Sequence, residues 1–117
     1  MTWNSWMMLD VPVVSSVAVG YHATLTLVRT ALRREDWSQA EALLMRAGGI
    51  AGNDPAFLNL VGIVREVEGN KDAAAEFYGR AIRSDSNYAP AQQNMRRLFE
   101  LRKFGHTNQA VSLGDEV

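Results

Sequence analysis

Ala40 and Ala74 stand 34 residues apart, and Ala47 and Ala81 repeat the interval. The same offset relates Leu27 to Val61, Asp36 to Asn70, Leu43 to Phe77 and Leu44 to Tyr78. A fixed period of this length means that a small supersecondary unit is stacked on a copy of itself. The unit is legible between Asp54 and Tyr88. Phe57, Leu60, Val61, Val64 and Val67 form one apolar stripe, and Ala74, Phe77, Tyr78, Ala81 and Ile82 form a second. Both have the spacing of an amphipathic helix. Glu68-Gly69-Asn70-Lys71 joins them with a turn so short that the two helices must pack antiparallel. The expected fold class is all-α.

Start and stop signals set the expected boundaries. The first repeat helix is expected to begin near Ser15 or Ser16 and run to about Arg34. Asp36 caps the next helix, with Gln39 completing a capping box. Its buried stripe is Trp37, Ala40, Leu43, Leu44 and Ala47, and Gly48-Gly49 is expected to end it. Asn53-Asp54-Pro55 opens a helix to about Glu68, and Asn70 caps one ending near Ser84. Pro90 sits in the first turn of a last helix reaching about Phe104. Thr107 to Leu113 is expected to form a short helix over the last apolar edge, and residues 114–117 to fray.

These residues resemble the tetratricopeptide repeat family, whose pattern is W-x2-L-G-x2-Y, then A-x3-F, then a late Pro. In 55–88, Val61-Gly62 stands for Leu-Gly and Ala74-x3-Tyr78 for A-x3-F, while Leu58, Arg65 and Ser86 replace the Trp, Tyr and Pro. In 21–54 the match is looser: Thr24, Leu27-Val28 and Ala31, then Ala40-x3-Leu44, then Gly52. A third copy opens at Tyr88-Ala89-Pro90-Ala91, with Gln92, Met95 and Phe99 in register and Arg96 in place of the family's Gly. The resemblance implies a right-handed superhelical stack of antiparallel hairpins. Residues 1–20 would be a hydrophobic cap segment, 21–54 and 55–88 two repeats, 89–113 a truncated third, and 114–117 a loose end.

Composition narrows the function. The 117 residues carry a formal net charge of −1, which gives no general attraction to nucleic acid or an anionic membrane. There is no Cys, hence no disulfide or thiol chemistry. Two His and scattered carboxylates do not form a metal cluster, and no cofactor is expected. No Gly-Lys-Ser/Thr accompanies Gly48, Gly49 and Gly52, so no phosphate loop is expected. No apolar run is long enough to span a membrane, and residues 1–20 lack the basic start of a secretory signal. A cytoplasmic, non-enzymatic chain is expected. Two readings of residues 1–20 stay open. Either the segment, apolar at Trp3, Trp6, Met7, Met8 and Leu9, caps the first repeat, or Trp3, Trp6 and Met7 anchor a partner or a second copy, making a self-associating scaffold the alternative function.

In the resembling family the first helices of successive repeats line a groove that holds a peptide. By helical spacing the matching face here carries His22, Leu25, Arg29 and Arg33, then Ala56, Asn59, Ile63 and Glu66, then Pro90, Gln93, Arg97 and Glu100. The expected peptide-binding residues are Leu25, Arg29, Asn59, Ile63, Glu66, Gln93 and Arg97. Asn59 and Gln93 can bond a peptide backbone, Arg29 and Arg97 can pair with carboxylates, and Leu25 and Ile63 can take an apolar side chain. One subclass clamps the C-terminal carboxylate of chaperone peptides with Lys and Asn. Its places hold Leu25, Arg29, Leu60, Pro90 and Asn94 here, three of which cannot bind a carboxylate, so that activity is not expected. Arg96, Arg97, Arg102 and Lys103 are expected on an outer, solvated face of the last helix.

Overall fold

The structure is a computed structural model describing residues 13–116, with side chains described for 20–116. Five helices follow one another: α1 (Val13–Arg33), α2 (Trp37–Ala51), α3 (Pro55–Val67), α4 (Lys71–Ser84) and α5 (Ala89–Phe104). The described chain is all-α. α1 packs chiefly on α2 and α3 on α4, with α2 against α3 and α4 against α5. Residues 105–116 are neither helix nor strand.

The two hairpin turns are built alike. Asp36 (φ −92°, ψ 79°) accepts the Gln39 N–H at 3.3 Å, and Asn70 (φ −96°, ψ 80°) accepts the Ala73 N–H at 3.0 Å. Each cap satisfies a donor that the first helical turn leaves without an intrahelical partner. The preceding residue is left-handed in both, Glu35 at φ 58° and Gly69 at φ 86°. Ala40, Ala47, Ala74 and Ala81 are all fully buried. Between them one core gathers Leu25, Val28, Leu43, Leu44, Leu60, Val64, Tyr78 and Leu98.

Several expectations are corrected. α1 begins at Val13, before the expected Ser15 or Ser16; the expected cap or dimer contacts of the side chains in residues 1–20 lie, all but Gly20, outside the described residues. Gly48-Gly49 does not end α2, which continues to Ala51. A Cβ on Gly48 would stand 3.0 Å from the Phe57 ring, so this glycine lets α3 approach a helix that carries on past it. Trp37 is exposed rather than core, and Leu27 is exposed where its counterpart Val61 is buried. Arg97 points inward and is 5% exposed. Residues 107–113 form no helix.

Among the described residues no helix is long and apolar enough to cross a membrane, and no cluster of His and carboxylate side chains could hold a metal.

Candidate functional site

Helix α5 ends at Gly105, whose left-handed backbone (φ 78°) lets its N–H close on the Leu101 carbonyl. The chain then turns back, and residues 110–116 cross α5, α3 and α1. Four side chains donate to three of its backbone carbonyls. Gln93 reaches Ala110 O at 2.7 Å. Asn59 and Asn94 both reach Ser112 O, at 3.0 and 2.9 Å. Arg29 Nε reaches Leu113 O at 2.9 Å. In return the Ser112 N–H donates to Asn94 Oδ1 at 2.9 Å, and Asn94 Nδ2 donates to Asn59 Oδ1 at 2.8 Å.

Both asparagines are fully buried, so an unmatched amide there would be costly. The network matches them: Asn94 donates to Asn59, and together they hold the backbone N–H and C=O of one residue of the returning segment, Ser112. Leu113 is buried in the main core, whereas Val111 is exposed. Beside them lies an open cavity of about 500 Å³, lined in part by Leu32, Trp37, Ile63 and Val67.

The end of the segment is held electrostatically. Arg33 grips Asp115 through both guanidinium nitrogens, at 2.5 and 2.8 Å. That bond holds the Asp115 carboxyl below the usual carboxylate range. Burial pushes the Glu116 carboxyl up, but bonds accepted from the Leu113 N–H, the Ser112 hydroxyl and the Gly114 N–H outweigh it, leaving it low. Those three bonds close a turn at Gly114, whose φ of 94° suits glycine. A Cβ there would stand 2.6 Å from Tyr88 Oη.

The sequence-predicted residues divide in two. Arg29, Asn59 and Gln93 converge on the segment's backbone. Ile63 lines the cavity, and Leu25 lies in the core, 2% exposed. Glu66 and Arg97 pair with one another, and Glu66 also accepts the Tyr78 hydroxyl at 2.9 Å, so the pair ties α3, α4 and α5 together rather than waiting for a ligand. Burial pushes the Tyr78 phenol up, and the Glu66 carboxylate adds to the shift. The expected site residues did not include Asn94 or Arg33, nor any of Ser112, Leu113, Gly114, Asp115 and Glu116. Asn94 stood one helical position from Gln93, and the signal for it was a polar residue on the apolar side of α5.

Chemically the site offers amide and guanidinium donors aimed at backbone carbonyls, one apolar seat and two arginines at one end. That is equipment for holding an extended chain by its backbone and its carboxylates. No family model, curated protein or solved structure matches the chain.

Proposed function

We propose that this chain is a non-enzymatic interaction module, a short tetratricopeptide-like array whose inner face binds a peptide in extended form. The observation that carries the reading is the buried pair Asn59 and Asn94, whose amides converge on the Ser112 carbonyl of a non-helical segment. Contacts from fixed side chains to a backbone are indifferent to the sequence they hold, as a peptide groove requires. The 34-residue recurrence of cap geometry and buried alanines at Asp36 and Asn70, Ala40 and Ala74 supports the repeat reading.

The test is a random peptide library displayed and selected against the full chain, followed by titration of the enriched peptides. Micromolar binders are expected, weakened about tenfold by Arg29→Ala with Gln93→Ala at unchanged helicity. Arg97 is unsuitable for this test because it is tied to Glu66. Failure to enrich any peptide, or binders indifferent to both substitutions, would remove the groove as the site.

A further inference from the structure

Residues 110–116 sit in the groove as a bound peptide would. The helical array is complete without them, since α5 is closed by Gly105 before the segment begins. The segment contributes one buried apolar side chain, Leu113, one glycine that cannot be replaced, and two carboxylates, while the walls contribute the donors and cations. One place in this fit is underfilled. Val111 and Leu113, two apart on an extended chain, point to the same side, and both line the cavity of about 500 Å³ with Trp37 and Val67. Val111 leaves those two side chains 38% and 43% exposed.

Resting on the peptide-groove reading above, we propose that residues 110–116 are a resident competitor and that the external ligand is an extended acidic peptide of the same pattern. Its order is large apolar, small polar, Leu, Gly, then two carboxylates. The Leu enters the seat of Leu113, the Gly takes the left-handed turn beside Tyr88, and the carboxylates meet Arg33 and the backbone turn. A larger apolar side chain at the Val111 place covers Trp37 and Val67, so the ligand displaces the tail by filling what the tail leaves open.

The probes are labelled peptides copying residues 108–116, one native and one with Val111→Phe, titrated into the full wild-type chain and into full-chain Gly114→Val. That substitution strains the left-handed turn at φ 94° and crowds Tyr88 Oη, which should evict the tail without changing a groove residue; loss of the Ser112 amide's protection from exchange checks the eviction and circular dichroism the helicity. Where helicity falls, Asp115→Lys serves instead, since it touches only an exposed ion pair. A competitor that fills the groove lowers apparent affinity by the fraction of time it is docked. The evicted chain should bind both peptides at least about tenfold more tightly than wild type, and the Phe peptide about three- to tenfold more tightly than the native one. Equal binding by wild type and variant overturns the competitor but leaves the groove standing. Library peptides that bind while both tail copies fail overturn the ligand assignment alone. Failure of every peptide overturns both. Wild-type dimers that Gly114→Val abolishes would make a second copy, exchanging tails, the occupant and overturn the external ligand.

Discussion

Gly62 on α3 lies against the ring of Tyr78 on α4, so closely that a Cβ at residue 62 would stand 2.5 Å from Tyr78 Cε1. Tyr78 is fully buried, and its hydroxyl continues to Glu66 one helical turn past Gly62. The missing side chain at 62 therefore sets the distance between two helices, and the ring that uses the space anchors the ion pair beyond it.

Tyr78→Ala is expected to cost about 3–5 kcal/mol in urea unfolding, the range for emptying a large buried site. Gly62→Ala overpacks the same contact and should cost about 1–3 kcal/mol, less up to about 1 kcal/mol returned by better helix propensity. In a Tyr78→Leu background the Gly62→Ala penalty should shrink, because the clashing ring edge is gone. A double-mutant cycle with no coupling would place the two residues out of contact.

The Glu66–Arg97 pair gives a second expectation. Both side chains are shielded, 15% and 6% exposed, so removing one partner strands a charge. Arg97→Met should cost about 3–5 kcal/mol. Adding Glu66→Gln should recover much of that, because a neutral amide oxygen still accepts the Tyr78 hydroxyl while the stranded charge disappears. Chemical denaturation of wild type, single and double variants decides it.

The turns before α2 and α4 differ in one respect that is open to test. Glu35 takes a left-handed backbone that its counterpart Gly69 adopts freely. Glu35→Gly should stabilise the chain by about 0.5–1 kcal/mol, and Gly69→Ala should cost a similar amount. Thermal melts of the two variants should move in opposite directions.

These particulars show what the sequence could and could not convey. Alanines 34 apart, flanked by bulky residues at helical spacing, mark matching places where helices pack closely, so the all-α architecture and the caps at Asp36 and Asn70 were legible. Gly48-Gly49 read as a stop because isolated glycines weaken helices; only the Phe57 ring against Gly48, contributed by another helix, explains why α2 continues. Arg97 read as a ligand-facing or outer cation because spacing fixes a stripe but not which buried carboxylate lies opposite. The returning tail was illegible for a deeper reason. A segment held by side-chain-to-backbone bonds needs no periodicity of its own, so the mostly polar residues 107–113 showed only Ala110, Val111 and Leu113 as apolar positions, which a short helix would have explained equally well.

Acid should loosen the tail. Asp115 and Glu116 are held below their usual carboxylate range when docked. An undocked tail therefore binds more protons at about pH 4, near the ordinary carboxylate values. Their contribution is fully present above that pH and is lost as pH falls through the lower, docked values. The protection factor of the Ser112 amide should stay constant from neutral pH to about pH 5 and drop below about pH 4. Because the Arg33–Asp115 pair is exposed, salt should weaken its share.

Asn94→Leu separates tail docking from folding. The side chain accepts the Ser112 N–H and donates to both Ser112 O and Asn59 Oδ1, so its loss breaks three bonds around a buried centre. Were the tail unable to leave, each stranded group would cost about 1–3 kcal/mol and the whole chain would be badly destabilised. The tail, however, begins after α5 is closed, and its release returns Ser112 to water and opens Asn59 to it. The cost of the substitution is then capped at the free energy of docking. Urea unfolding of Asn94→Leu should show a global loss of no more than about 2 kcal/mol, while the Ser112 and Leu113 amides lose nearly all protection from exchange. A loss beyond about 4 kcal/mol, with tail and helices exchanging together, would mean that the segment is an inseparable part of the core.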